Sequence, residues 1–302
     1  MLGSLRHQRG ASGAARRARS ASRCRGRHEG LADLVQDEAR HEVDVAHRAA
    51  PRRPSVALII PRVRLLISVT DAAEAVDAAG AGADIIDVKD PGAGSLGRAP
   101  AEWVRAIRGV TPPHLPVSAA LGDGPFDAHA VSRAALLLSE CGAKYVKVGL
   151  RDTDRSAAVE TLRAVRGGLP PGSALIAVGF ADAGRAGCPD PATLPALAAA
   201  AGADGCLVDT AVKDGRGLLS WLDEAALIAL VADCHARRLL CGLAGSLEAD
   251  DLPRIAAVQP DIVGIRGAAC LGDRVSGRIS RDRVAALAHG LTVAETARGR
   301  AR

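Results

Sequence analysis

The chain has 302 residues, 48% of them hydrophobic, 24% charged and only 2% aromatic, with a formal net charge of +5. That profile excludes a disordered chain, and no apolar run approaches the roughly 18 to 20 residues of a membrane-spanning helix. The charge is unevenly placed: residues 1–62 hold 13 Arg, no Lys and six acids, a net +7, whereas the remainder holds 26 basic and 28 acidic residues, a net −2. The body therefore lacks the basic footprint of a nucleic-acid binder.

In chain order, residues 1–62 show no sustained periodicity. They read as a disordered Arg-rich extension or as translation from a start codon set too far upstream. From residue 64 a strand–helix rhythm begins. "RLLISVT" (64–70) is a short β-branched run, followed by "DAAEAVDAAGAG" at helical spacing with Asp71 as N-cap. "ADIIDVKD" (83–90) is the second strand, and "PAEWVRAIRGV" (100–110) is its helix, opened by Pro100. "LPVSAALG" (115–122) pairs with "HAVSRAALLLSECG" (129–142), and "AKYVKVGL" (143–150) with "DRSAAVETLRAVRGG" (154–168).

The second half repeats the pattern. "ALIAVGFAD" (174–182) precedes "DPATLPALAAAAG" (190–202), and "ADGCLVDTAV" (203–212) precedes "WLDEAALIALVADCHARR" (221–238). "LLCGLAGS" (239–246) precedes "EADDLPRIAAV" (248–258), and "DIVGIRGA" (261–268) precedes "SRDRVAALAHGL" (280–291). Eight such units over residues 63–291, with strands apolar on both faces, predict one (β/α)8 TIM barrel and leave 292–302 as an Arg-rich tail. A doubly wound open sheet is the rival, but no GxGxxG follows the first strand.

The seven cysteines (24, 141, 188, 206, 234, 241, 270) form no CxxC. They suggest reduced thiols in a cytoplasmic compartment, with Cys206 and Cys241 as small core residues. None of the eight histidines (7, 28, 41, 47, 114, 129, 235, 289) pairs with a carboxylate at ligand spacing, so no metal or other cofactor is expected.

Lysine is the informative residue. It occurs only at 89, 144, 147 and 213, while arginine fills the other 35 basic positions. A chain that prefers arginine this strongly needs lysine where an amine must lose its proton, because a guanidinium stays charged. Asp87 and Lys89 end strand two at i, i+2 spacing and so share its inward face. Lys147 alternates with Tyr145 and Gly149 in strand four, while Lys144 points the other way. Asp209 ends strand six, and Lys213 follows in the next loop.

Barrel chemistry sits at the C-terminal ends of the strands, where these groups converge. The alternative is a set of solvated strand-end charges or structural ion pairs. Neighbouring ammoniums lower one another's pKa, so paired lysines suit imine formation with a carbonyl substrate, with carboxylates orienting the amines. The small-residue turns "CGLAGSL" and "GIRGAAC" after strands seven and eight place Gly245, Ser246, Arg266 and Gly267 where barrels hold phosphate. Together these features predict a carbonyl-bearing, phosphorylated small molecule.

The stretches "LLISV", "GADIIDVKDPGAGSLG", "KYVKVGL", "LVDTAVKDG", "GLAGSL" and "DIVGIRGAAC" jointly resemble the (5-formylfuran-3-yl)methyl phosphate synthase family of methanofuran biosynthesis, from about residue 64 to 291. The resemblance implies a lyase that condenses two glyceraldehyde 3-phosphate molecules to 4-(hydroxymethyl)-2-furancarboxaldehyde phosphate, with loss of phosphate and two waters. It implies Lys89 as the Schiff-base lysine, Lys147 as the proton acceptor and Asp209 with Lys213 as further active-site groups. Position 90, often Asn or Glu in relatives, is Asp here. Competing readings are a class I aldolase, an Asp-x-Lys decarboxylase barrel and a non-catalytic sugar-phosphate-binding barrel. A homo-oligomer is compatible with all of them.

Overall fold

The computed structural model describes residues 62–300. The expected extension over 1–62 therefore lies, apart from Arg62, outside the described residues. Eight parallel strands close into a barrel in sequence order: β1 (Arg64–Val69), β2 (Ile85–Val88), β3 (Val117–Ala120), β4 (Tyr145–Gly149), β5 (Ala174–Phe180), β6 (Gly205–Asp209), β7 (Leu240–Leu243) and β8 (Ile262–Ile265). The helices between them are α1 (Ala72–Gly80), α2 (Ala101–Val110), α3 (Ala128–Glu140), α4 (Arg155–Gly168), α5 (Ala183–Ala186), α6 (Leu194–Ala200), α7 (Glu224–Ala236) and α8 (Leu252–Ala257). A two-stranded hairpin, β9 (Cys270–Leu271) with β10 (Arg278–Ile279), precedes the last helix, α9 (Arg281–Arg300). The fold is the (β/α)8 barrel that the eight-unit rhythm predicts.

Local chemistry sets the helix starts. The Asp71 side chain accepts from the Glu74 N–H, Asp127 from Ala130, Asp154 from Ala157 and Asp223 from Ala226, each at 2.8 Å. An aspartate one residue before each of these helices thus satisfies a free N–H of its first turn. Outward strand residues and inward helix faces form the main core, including Ile67, Val146, Val208 and Leu227. Inside the barrel, Ile176, Val178, Phe180 and Leu207 fill the β5–β6 side. Leu66, Ile85 and Ile262 close the floor together with Tyr145. Towards the C-terminal mouth, β7, the residue just after it and β8 present the small residues Gly242, Ala244 and Gly264, and Ala244 and Gly264 line the open part of the lumen.

Three features were not anticipated by the periodicity. The loop after β5 carries the extra helix α5, the hairpin β9–β10 is inserted after β8, and α9 runs through the segment set apart as an Arg-rich tail. Tertiary contacts hold that last stretch. Glu295 accepts the Val63 N–H at 2.7 Å, and Arg298 donates to the Ala256 carbonyl at 3.1 Å. The described cysteines are free thiols. Cys206 and Cys241 are buried neighbours across β6 and β7. Among the described residues, no helix is long and apolar enough to cross a membrane.

Candidate active site

At the C-terminal mouth of the barrel lies a cavity of about 350 Å³, lined among others by Lys89, Lys147, Asp209, Lys213, Gly245 and Arg274. Two ion pairs frame it. Lys147, inward on β4, donates to Asp87 Oδ2 on β2 at 2.7 Å, and Ser68 Oγ on β1 donates to the same oxygen at 2.8 Å. Both partners of this pair are dry, with side chains 3% and 0% exposed. Across the mouth, Lys213 Nζ donates to Asp209 Oδ1 at 2.6 Å and to Thr210 Oγ1 at 3.0 Å. Asp209 Oδ1 also accepts the Thr210 N–H at 2.7 Å.

Lys89 belongs to neither pair. It is buried between them, and burial pushes its pKa down to about 8. Asp209 and Asp87 pull that value back up, while the Lys147 and Lys213 ammoniums lower it further. For Asp87 and Asp209, burial alone would raise the pKa. The surrounding ammoniums and hydrogen bonds outweigh it, and both carboxyls stay below the usual range: Lys147 and Lys89 act on Asp87, Lys213 and Lys89 on Asp209. The result is two fixed carboxylates and one amine that is released near neutrality. Modification of Lys89 by an acylating reagent, followed by peptide mass spectrometry, is expected to be half-maximal near pH 8 and to rise with pH. A midpoint near 10.5, the ordinary lysine value, would contradict this electrostatic account.

The phosphate turns have two different characters. Gly245 has φ +110°, and a Cβ there would meet Thr210 at 3.1 Å, so the turn after β7 needs glycine for both conformation and space. Beside Gly267 a Cβ would meet nothing within 4 Å. The backbone N–H groups of Gly245, Ser246 and Gly267 donate to no acceptor among the described residues. They form an open set of donors next to the cavity, the kind of set that binds oxyanions. Arg266 behaves otherwise. Its Nη1 donates to Glu74 Oε2 at 3.0 Å and to the Ser68 carbonyl at 2.9 Å, and its Nε donates to the Arg274 carbonyl at 2.6 Å.

All nine residues singled out from the sequence therefore gather at one mouth, with Asp87 sealed behind Lys147. Lys144 is exposed and donates to the Gly172 carbonyl, away from the cavity. Sequence reasoning missed Ser68, Glu74, Asp123 and Arg274. Asp123, in the loop after β3, accepts the N–H groups of Ser95 (3.1 Å) and Leu96 (2.9 Å) and so pins the glycine-rich loop that follows Lys89. A lone hydroxyl near the end of the apolar first strand was the available signal for Ser68, and Glu74 carries none. Among the described residues, no three His, Cys, Asp or Glu side chains gather as a metal-binding group.

Fold and site together define a class, a (β/α)8-barrel enzyme whose mouth is rich in amines. The family model described as 4-HFC-P synthase matches residues 65–288. The chain is 42% identical over 226 residues to (5-formylfuran-3-yl)methyl phosphate synthase of Methanocaldococcus jannaschii, covering 73% of this chain and 96% of the relative. It is 44% identical over 225 residues to the protein of the same name from Methanothermobacter thermautotrophicus, covering 73% and 95%. The chain belongs to the (5-formylfuran-3-yl)methyl phosphate synthase family. Among solved structures, 3-hexulose-6-phosphate synthase from Salmonella typhimurium superposes with a TM-score of 0.55 at 21% identity, covering 77% of this chain and all of that one. That likeness is one of fold.

Proposed function

We propose that this enzyme is a lyase that joins two molecules of glyceraldehyde 3-phosphate through an imine on Lys89, yielding 4-(hydroxymethyl)-2-furancarboxaldehyde phosphate for methanofuran biosynthesis in the cytoplasm. The observation that carries the reading is the state of Lys89: a buried amine, outside both ion pairs, released near pH 8 at the base of an open cavity. An amine attacks a carbonyl only as the free base. Its carbinolamine loses water to give an iminium, which makes the adjacent carbon acidic.

Lys147, tethered to Asp87, gives its proton to the carbinolamine hydroxyl as water leaves, and the neutral amine that results takes the α-proton and leaves an enamine, whose carbon adds to the second aldehyde. Elimination of one phosphate, ring closure, loss of two waters and hydrolysis of the imine complete the cycle, with net release of one phosphate and two waters. Asp209 supports the cationic intermediates and orients Lys213 beside a phosphate. The free amides of Gly245, Ser246 and Gly267 hold phosphate oxygens. Preorganised donors of this kind act without reorganising during the reaction.

The test is borohydride reduction in the presence of glyceraldehyde 3-phosphate, followed by mass spectrometry. A reduced adduct on the Lys89 peptide of the wild type, absent from Lys89→Ala, is expected. No adduct in the wild type, or one that survives the substitution, would sink the assignment. Incubation with this single substrate separates the furan synthase from an aldolase or decarboxylase barrel, because only the former produces a strongly ultraviolet-absorbing furan.

A further inference from the structure

The rim of the cavity holds a cation that the chemistry above does not use. The sequence pattern nominates Arg266 as the phosphate-binding guanidinium, but Arg266 is paired with Glu74 in a contact where both side chains are nearly sealed from water, at 3% and 2% exposure. Its charge is neutralised inside the protein. Its Nε instead supports the carbonyl of Arg274, at 2.6 Å, in the turn between β9 and β10.

Arg274 is in the opposite situation. Both arginines line the cavity, but Arg274 forms no ion pair among the described residues. Its Nη1 donates to the Pro91 carbonyl at 3.0 Å and its Nη2 to the Gly94 carbonyl at 3.3 Å, both in the loop after Lys89. A guanidinium has about five N–H donors, so most of its fork is left for a ligand. The carboxylates nearby are engaged elsewhere. Asp209 holds Lys213. Asp273 accepts from the N–H groups of Val275 at 2.7 Å and Ser276 at 3.0 Å, and Glu248 belongs to a helix-capping box with Asp251.

We infer that Arg274 is a substrate-binding residue that holds a phosphate dianion on the β2 side of the cavity, and that Arg266 is the residue that positions it. The inference rests on reading the cavity as a site for phosphorylated aldehydes. Three of the five cations around the cavity are matched by Asp87, Asp209 and Glu74. The unmatched ones are Lys89, which must be neutral to react, and Arg274. A planar guanidinium that spans two N–H directions matches phosphate geometry. Burial lowers the Arg274 pKa and Asp209 opposes that shift, and a guanidinium stays charged throughout the working range.

Position supports the assignment. The free amides of Gly245 and Ser246 lie where β7 ends, whereas Arg274 bridges the exits of β8 and β2. Two separated anion-binding devices suit two phosphorylated molecules in one cavity. The hairpin that carries Arg274 is rigid enough to place it. Ile279 N–H donates to Glu74 Oε1 at 3.2 Å, and Gly277 packs so tightly that a Cβ would lie 2.3 Å from the Asp273 carbonyl.

The test titrates inorganic phosphate calorimetrically into wild type, Arg274→Gln and Arg274→Lys. Each protein is then trapped with borohydride using either glyceraldehyde 3-phosphate or unphosphorylated glyceraldehyde. Arg274→Gln is expected to weaken phosphate binding at least about tenfold, and to raise the glyceraldehyde 3-phosphate needed for half-maximal trapping by about 10- to 100-fold. Trapping of unphosphorylated glyceraldehyde should stay within about twofold of wild type, since that molecule lacks the phosphate on which charge-assisted bonding depends. Arg274→Lys, which keeps the charge but loses the fork, should recover part of the loss. Equal losses with both aldehydes would mark a residue that only holds the loop after Lys89 and would overturn the inference. An unchanged phosphate Kd, or no phosphate binding by the wild type, would overturn it as well. Calorimetry needs no imine, so failure of wild type to trap counts against the chemistry assigned to Lys89 and leaves the Arg274 result readable.

Discussion

Lys89→Met is expected to eliminate turnover and at the same time stabilise the fold. Loss of a covalent nucleophile costs on the order of 10⁴-fold or more in rate. The stability gain follows from the depressed pKa. In the unfolded chain the amine titrates near the ordinary 10.5, and in the folded protein at about 8. Below pH 8 the native state must carry a buried ammonium that the unfolded state solvates freely, and the cost is then at its full value. Between pH 8 and 10.5 the unfolded state binds more protons, so stability rises with pH and the cost fades.

A shift of that size corresponds to at most about 3 kcal/mol. That shift is already net of the attraction to Asp87 and Asp209, so a gain of ~1–3 kcal/mol at pH 7 is expected by urea denaturation. The difference between variant and wild type should shrink above pH 10. A variant less stable than wild type at pH 7, or a gain independent of pH, would contradict the idea that the site holds its amine at an energetic cost.

Asp87→Ala is expected to act in the other direction. It strands the Lys147 ammonium in a position 3% exposed, with its hydrogen-bonded carboxylate gone. Breaking a buried pair on one side costs about 3–5 kcal/mol, because the remaining charge is unpaired. The double replacement Asp87→Leu with Lys147→Met should recover most of that loss, since Asp87 Oδ1 has no hydrogen-bond partner among the described residues and the native pair is imperfectly satisfied. Thermal or urea unfolding of Asp87→Leu, Lys147→Met and the double closes the cycle and gives the coupling energy. If the double is no more stable than Asp87→Ala, the pair is not the source of the loss.

Much of the site could be read locally. Asp87 and Lys89 share a face because strand side chains alternate, and the scarcity of lysine separates an amine needed for chemistry from a generic cation. The strand–helix rhythm carried the count of eight units. What escaped was pairing over long separations. Lys147 reaches Asp87 across 60 residues and Arg266 reaches Glu74 across 192. Glu74 reads in sequence as an ordinary polar position of the first helix, and nothing near it announces that β8 will close against β1. Arg274 was hidden for a similar reason: its hairpin has no periodicity, and its place over the cavity depends on the buried Arg266 beneath it.

The sequence by itself determined the order and number of the eight strand–helix units, the inward face of the second and fourth strands and the residue types able to do amine chemistry. These follow from backbone periodicity and side-chain pKa, which are local properties. Only the closed tertiary structure decided which cation is neutralised and which is left free. That outcome depends on burial and on distances between elements far apart in the chain. Closure of the ring makes Lys89 a weakly basic amine between two occupied ion pairs, ties Arg266 to Glu74, and leaves Arg274 facing the cavity without an ion pair among the described residues.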